Sequence, residues 1–309
     1  MPDRPARPDV GAAPGECERP ATAWDPRSWG RHPVDAIVHG DNLAAAAGLP
    51  DGVARLVYLD PPFNTGAARR HQTARVERSD DGDRVGFAGR SYTTTRGEVV
   101  RYADRFDDYL GFLLPRLAEA RRLLDDAGTL YLHLDYREAH YAKVALDELF
   151  GRECFLNEIV WAYDFGGRSN RRWPAKHDTI LVYVKNPDRY HFDSAEVDRE
   201  PYMAPGLVTP EKAARGKLPT DVWWHTIVPT NSRERTGYPT QKPEGVLRRI
   251  VTASSAPGDL VVDLFAGSGT TGAVAAALGR RFLLVDESPD AVAVMRGRLP
   301  AAEVFTAAG

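Results

Sequence analysis

Asp60-Pro61-Pro62-Phe63 puts a carboxylate, two prolines and a bare aromatic ring directly after the apolar run Arg55-Leu56-Val57-Tyr58-Leu59. The run predicts a buried strand, so the tetrapeptide lies at a strand's carboxyl end, where open α/β sheets bind ligands. Two consecutive prolines fix the backbone and remove two N–H donors. What is left accepts hydrogen bonds, through the Asp60 carboxylate and the Pro61 carbonyl, while Phe63 offers a face for stacking. Such a set suits a flat ring bearing an amino group. An exocyclic amine on a nucleobase is a poor nucleophile, because its lone pair is delocalised into the ring. Holding its hydrogens on acceptors favours a pyramidal nitrogen that can attack an electrophilic methyl group in line. The competing reading is a rigid strand exit with a packed Phe, and the following Asn64-Thr65-Gly66 weigh against it.

A second constellation lies far downstream. Asp263-Leu264-Phe265-Ala266-Gly267-Ser268-Gly269-Thr270-Thr271-Gly272 holds G-x-G-x-x-G between an apolar run and a helical pattern, and Asp286 ends the next apolar run. In this fingerprint glycines let the backbone approach a ligand and the acid accepts hydrogen bonds from ribose hydroxyls. The description fits NAD, and with it an NAD-dependent oxidoreductase. It fits equally S-adenosylmethionine, which has a ribose and no phosphate. A tight turn without ligand is the bland alternative. Asp263, inside the strand end, suits a cationic methionine portion better than a pyrophosphate.

The elements that must position these residues alternate. Strands are expected at 34–39, 55–59, 129–134, 159–163, 179–184, 260–265 and 282–285, and helices at 43–49, 109–124, 138–150, 243–254, 270–278 and 289–299. Alternation predicts an α/β fold, a mostly parallel, Rossmann-like sheet flanked by helices. The last unit supplies only two strands, so residues 34–184 must donate the rest and the glycine turn falls near the middle of the sheet. Residues 1–33 hold seven of the 23 prolines and no apolar periodicity, which predicts a disordered tail. A single domain is expected over 34–300, with insertions at 64–103 and 164–240 and a second tail at 301–309.

Three motifs in order, Asp60-Pro61-Pro62-Phe63, Tyr238-Pro239-Thr240-Gln241-Lys242-Pro243 and Phe265-Ala266-Gly267-Ser268-Gly269, closely resemble those of the amino-DNA methyltransferases. The catalytic motif precedes the cofactor motif, as in the circularly permuted β group of that family, and the resemblance runs from Ile37 to Arg298. Adenine-N6 members typically carry Asp-Pro-Pro-Phe or -Tyr and cytosine-N4 members Ser-Pro-Pro-Tyr, so the resemblance implies a site-specific adenine-N6 enzyme using S-adenosylmethionine. Cytosine N4 or an RNA base is the alternative acceptor, and a catalytically silent DNA-binding relative a further one. The resemblance places Asp263, Phe265, Gly267 and Gly269 on the cofactor's methionine side, with Ala266, Ser268 and Thr270 in the same cofactor-binding turn. It places Asp286 on the ribose, and Thr240, Gln241 and Lys242 around the pocket. Asp41, of Gly40-Asp41-Asn42, would face the cofactor's adenine amino group, a role compatible with capping a helix. Tyr238 stands where many relatives have His. A prokaryotic, DNA-associated protein is implied, with a homodimer and a separate restriction endonuclease as partners left open.

The target amine is buried in duplex DNA, so the base must be flipped or already single-stranded. Net charge −3 and a pI near 6.3 speak against nucleic acid, but locally the balance reverses. Residues 166–176 carry Arg168, Arg171, Arg172 and Lys176 without an acid, among Trp161, Tyr163, Phe165 and Trp173. The 64–103 stretch has eight Arg against five acids, with Arg69 and Arg70 close to the tetrapeptide. A solvated charged face is the competing reading. In Asp221-Val222-Trp223-Trp224-His225, the tryptophans read as core, lid or stacking platform. Eight scattered His and two Cys predict no metal site. Two cysteines also favour a reducing cytoplasm, and Cys154, outside any Pro-Cys pair, reads as packed rather than as a cytosine-C5 nucleophile. No apolar run reaches membrane-spanning length.

Overall fold

Short runs rich in Leu, Val and Ile, bounded by glycine, proline and acids, become strands that alternate their side chains between two helical layers. The structure, a computed structural model, describes residues 22–31, 34–65, 69–78, 84–85, 91–102 and 106–307, the stretches between 69 and 102 by their backbone course. The strands are β1 (Thr22–Ala23), β2 (Ala36–His39), β3 (Ala54–Leu59), β4 (Arg69–Arg78), β5 (Arg84–Val85), β6 (Ser91–Tyr102) and β7 (Leu124–Leu134). Then come β8 (Phe155–Ala162), β9 (His177–Val184), β10 (Val222–Trp224), β11 (Leu260–Asp263), β12 (Arg281–Asp286) and β13 (Glu303–Thr306). The helices are α1 (Pro26–Arg31), α2 (Asn42–Ala46), α3 (Tyr109–Leu123), α4 (Ala139–Phe150), α5 (Pro210–Arg215), α6 (Glu244–Ser254), α7 (Thr270–Ala277) and α8 (Pro289–Arg298).

Ten strands form one sheet in the order β1-β13-β2-β12-β11-β3-β7-β9-β8-β10, with β11 near its middle as expected. All neighbours are parallel except β9, which is antiparallel to both β7 and β8. One layer takes Val38, Val57, Leu59, Val262, Leu283 and Val285 against α3 and α4. The other takes Ile37, Leu56, Tyr58, Val261, Phe282 and Leu284 against α6, α7 and α8. Alternate residues of the same strands thus fill opposite layers, as a sheet covered on both faces requires. In α3, Tyr109, Leu113, Leu117, Ala120 and Leu123 form the buried face, and the Asp108 side chain caps its start through the Gly111 N–H. Among the described residues no helix is long and apolar enough to cross a membrane.

Three expectations change. Within the expected tail over 1–33, residues 22–31 form β1 and α1, and Trp24 packs edge-on against Phe305 at 5.3 Å; residues 1–21 lie outside the described residues. The expected tail over 301–309 contains β13, which pairs with β2 through Phe305↔Val38 and with β1 through Phe305↔Thr22. Too short to show a period, these segments gain their structure from the edge of β2, whose backbone groups would otherwise go unpaired. The expected insertion over 164–240 is interrupted by β9, all but one of whose residues are buried. The 64–103 insertion holds a separate three-stranded antiparallel sheet in the order β4-β6-β5.

If β13 is structural, deleting residues 301–309 removes the β2 ladder and the Trp24–Phe305 contact. The truncated chain should melt several degrees lower by differential scanning calorimetry; an unchanged Tm would return the segment to a tail.

Candidate active site

Parallel register brings the two constellations together. Asp263 is paired with Tyr58 of β3 and with Leu284 of β12, and Asp286 with His39 of β2. The carboxyl ends of four central strands therefore line one edge, and Asp60 follows Tyr58 by two residues. Lys242, two residues before α6, reaches this point: its Nζ donates to Asp60 Oδ2 at 2.5 Å and lies 4.9 Å from the Phe63 ring centre. Both charges are largely buried, the Lys242 and Asp60 side chains being 10% and 18% exposed. The other carboxylate oxygen, Asp60 Oδ1, is buried and accepts no hydrogen bond from any described residue. Pro61 is buried; Pro62 and Phe63 are half-buried.

Two left-handed glycines build the turn. Gly267 (φ 50°) donates its N–H to Asp286 Oδ2 at 2.8 Å, and Gly269 (φ 70°) precedes α7. A Cβ on Gly269 would stand 2.7 Å from Met295 Cγ, so the turn admits no side chain there. Asp263 is 1% exposed, and both its oxygens are engaged inside the turn, Oδ1 by the Phe265 N–H at 3.0 Å and Oδ2 by the Thr271 hydroxyl at 2.6 Å. Burial raises its pKa to about 7, against the lowering effect of those two bonds, and the charges of Asp60 and Asp286 raise it further. Burial also raises Asp286, although the Ser288 and Gly267 N–H groups hold its oxygens. Three acids meet at one edge, Asp60 paired with Lys242 and Asp263 closed by its own turn, and together they fit a ligand that donates hydrogen bonds. A bound anion such as a pyrophosphate fits poorly.

The remaining expected cofactor residues divide. Thr270 is buried, its hydroxyl donating to the Lys242 carbonyl at 3.1 Å, and Ser268 lies against it at 3.1 Å. Ala266 is buried, and the Phe265 ring stands 6.0 Å from Phe112. Asp41 caps α2 through the Ala44 N–H at 2.9 Å and pairs with Arg116 at 3.3 Å. Gln241 is turned into its own loop, bonding Thr236 and the Glu234 carbonyl, and Thr240 is exposed. Thr240 holds a left-handed φ of 60°, rare for a β-branched residue.

Sequence reasoning missed the supports. Arg298 donates to the Ser268 carbonyl and the Thr270 hydroxyl, and pairs with Glu244 at 2.6 Å, joining the glycine turn to α6. Asn42 donates to the Leu264 carbonyl at 3.0 Å and accepts from Arg116 at 2.7 Å. Beneath Phe63 a polar chain crosses three strands and reaches the residue after β8: Tyr58 hydroxyl to His133 Nδ1 (2.7 Å), His133 Nε2 to Asp178 (3.1 Å), and Tyr163 hydroxyl to Asp178 (2.9 Å). Burial carries the Tyr58 pKa well above its ordinary value, with the charge of Asp60 next. Such chains show in sequence only as isolated polar residues inside strands, as with His133 in Tyr131-Leu132-His133-Leu134.

Arg168, Arg171 and Arg172 are exposed in the loop from β8 to β9, and the Arg172 guanidinium lies 6.0 Å from the Tyr136 ring, just past β7. Lys176 is half-buried and braces the loop through the Gly166 carbonyl at 3.3 Å. Phe165 and Trp173 are exposed, Trp173 by 95%, whereas Trp161 is core. The tandem tryptophans split: Trp223 is buried and Trp224 is exposed at the carboxyl end of β10. Arg69 and Arg70 open β4, and their side chains lie outside what the structure describes.

A permuted α/β sheet with an Asp-Pro-Pro-Phe exit beside a glycine turn defines a class, and the comparisons agree with it. A sequence profile of the N6/N4 DNA methylase family matches residues 54–296, and the chain belongs to that family. DNA adenine methyltransferase YhdJ of Escherichia coli (strain K12) is 29% identical over 294 residues, covering 93% of this chain and 89% of that protein. Type II methyltransferase M.HpaI of Haemophilus parainfluenzae is 28% identical over 265 residues, covering 85% and 73%. Among solved structures, an M1.HpyAVI–SAM complex superposes with a TM-score of 0.54 at 20% identity, over 85% of this chain and 98% of that one, and shares the fold.

The Asp263 pKa carries a testable sign. An acid whose folded pKa is raised keeps its proton where the unfolded chain, with a pKa of ~4, has lost it. Its contribution to stability is therefore lost as pH rises from ~4 towards about 7. Asp263→Asn, which can keep both turn hydrogen bonds, should remove that part of the pH dependence in urea unfolding of the ligand-free protein. An unaltered slope would assign it to other groups.

Proposed function

We propose that the chain methylates the exocyclic N6 of a flipped adenine in duplex DNA, with S-adenosylmethionine as donor. The observation that carries this is Asp60 Oδ1, a buried carboxylate oxygen with no partner among the described residues, at the mouth of a proline pair that offers no donors. An unpaired buried acceptor is costly, and an amino hydrogen would satisfy it. S-adenosylmethionine, when bound, supplies an electrophilic sulfonium methyl group. The turn Phe265 to Thr270 would hold its methionine portion, and Asp286 its ribose, with Asp263 bracing the turn through the Phe265 N–H and the Thr271 hydroxyl.

Asp60 Oδ1 and the Pro61 carbonyl would take the two amino hydrogens, leaving the nitrogen lone pair directed at the methyl group. Lys242 holds Asp60 by the opposite oxygen, so the free oxygen keeps one direction. Phe63, beneath the same ammonium, would stack on the base. The nitrogen would gain its methyl as the methyl–sulfur bond breaks and a neutral thioether leaves, and it must then release a proton along the N–H that Oδ1 would accept. Asp at the head of the tetrapeptide, together with the resemblance to adenine-N6 members, favours adenine over cytosine. The loop carrying Arg168, Arg171, Arg172 and Lys176 would contact phosphates beside the flipped base, with Arg69 and Arg70 of the insertion assigned the same role.

Incubation with tritiated S-adenosylmethionine and mixed-sequence duplex DNA should yield labelled N6-methyladenine on nucleoside analysis. Labelled N4-methylcytosine would reassign the acceptor, and no label in any DNA would sink the reading. Asp60→Ala should abolish transfer while cofactor binding by calorimetry stays within about twofold; lost binding would mean that Asp60 acts on the cofactor instead.

The loop makes a separate prediction. Each phosphate contact adds about 0.9 to the slope of log affinity against log salt. Arg171→Ala with Arg172→Ala should flatten that slope by about 2 and raise the KM for DNA while kcat is retained. An identical slope would remove the loop from the interface.

A further inference from the structure

Among the described residues only two non-glycine residues hold a left-handed backbone, Asn64 (φ 52°) and Thr240 (φ 60°). They flank the Asp60–Lys242 pair, Asn64 following the tetrapeptide at once and Thr240 preceding Lys242 by two. A left-handed backbone costs little at Asn and more at Thr, and in either case the surrounding contacts hold it. For Asn64 those contacts are explicit. Its Nδ2 donates to Glu138 Oε1 at 2.7 Å, and its Oδ1 accepts the Phe106 N–H at 3.0 Å.

Both partners are placed to matter. Glu138 is the N-cap of α4, yet its side chain makes no capping bond and goes to Asn64 instead. The outermost rung of β4 on β6 joins Arg69 to Tyr102, so residues 64 and 106 bracket the root of the insertion. Phe106 stacks on Phe112 at 4.5 Å, and Phe112 stands 6.0 Å from Phe265 in the glycine turn. One amide thus ties the exit of the catalytic tetrapeptide to a helix start and to an aromatic row that ends at the cofactor turn.

We infer that Asn64 is a positioning residue for methyl transfer: clasped between Glu138 and the backbone of Phe106, it fixes where Asp60 and Phe63 stand relative to the glycine turn. The inference rests on the reading of Asp60 and Phe63 given above. It concerns geometry between two bound partners, so its loss should slow the chemical step and leave binding of either partner in place.

Four variants separate the contributions. Asn64→Gly keeps the left-handed backbone and loses both hydrogen bonds. Glu138→Ala removes one acceptor, Glu138→Gln keeps an acceptor oxygen, and Asn64→Gly with Glu138→Ala tests whether the two act together. The readouts are kcat, KM for DNA, S-adenosylmethionine binding by calorimetry, and Tm, with Asp60→Ala as the control for the function itself. Asn64→Gly and Glu138→Ala should lower kcat by about 10- to 100-fold, with cofactor binding and KM within about twofold and little change in Tm. Glu138→Gln should restore most of kcat, and the double variant should be no slower than Asn64→Gly. Wild-type kcat in Asn64→Gly, losses that track a falling Tm, or a double variant showing the product of the single effects would each overturn the assignment. If wild-type protein transfers methyl groups and Asp60→Ala does not, such results overturn Asn64 alone. A wild-type protein that methylates no DNA overturns both readings.

Discussion

Parallel pairing of β11 with β3 is the contact on which the site depends. It sets Val261 opposite Leu56, Val262 opposite Val57 and Asp263 opposite Tyr58, so a turn late in the chain meets a tetrapeptide near its beginning. Closing a loop of about two hundred residues costs only about 2 kcal/mol more than closing one of about twenty, because the entropy grows with the logarithm of length. Leu56, Val57, Val261 and Val262 are fully buried in return, and each such side chain contributes about 1.5–3 kcal/mol. Burial outweighs the extra closure cost several times over. For that reason a permuted motif order costs the fold little: the sheet needs the strands adjacent, not consecutive.

The Lys242–Asp60 pair repeats this long-range tie with a different purpose. A mostly buried ion pair is weak evidence of stability, since desolvation of both charges offsets much of their attraction. Its geometry points to orientation. Lys242 takes one carboxylate oxygen, leaves the other without a partner among the described residues, and stands over the Phe63 ring. Thr270, itself held by Arg298, then fixes the backbone of Lys242 from the glycine turn, so that turn and the tetrapeptide share their supports.

Residues at strand ends were legible in the sequence because their types, their spacing and the apolar runs before them are all local properties. Asp60, Gly267, Gly269 and Asp286 stand where that reading put them relative to the strands. What a residue's lone pairs already hold is not local. Asp263 was expected to meet a ligand, and both its oxygens are taken by Thr271 and Phe265. Gln241 is held by Thr236 and Glu234. Asn64, Arg298 and Glu138 gain meaning only from partners brought in by the fold. The β13 strand was missed for a related reason: four residues carry no measurable period, and the edge of β2 decides their state.

Charge is sorted along the carboxyl edge in a way that the net value of −3 hides. Asp286 and Asp263 end β12 and β11, whereas the loop of Arg168, Arg171 and Arg172 leaves β8. Because β9 runs antiparallel between β7 and β8, β8 points the same way as β3, and its exit loop emerges at the same edge as Asp60. Four strand spacings separate β11 from β8 in the sheet order, or about 19 Å at ~4.8 Å each. That exceeds the Debye length of ~8 Å at physiological salt, so the exposed arginines act on a ligand in solvent separately from the acids, which act at close range from within the glycine turn. A cationic cofactor and a polyanionic substrate would each find the half that suits it, with Asp60, which follows β3, between them. An evenly mixed edge of the same net charge would offer neither.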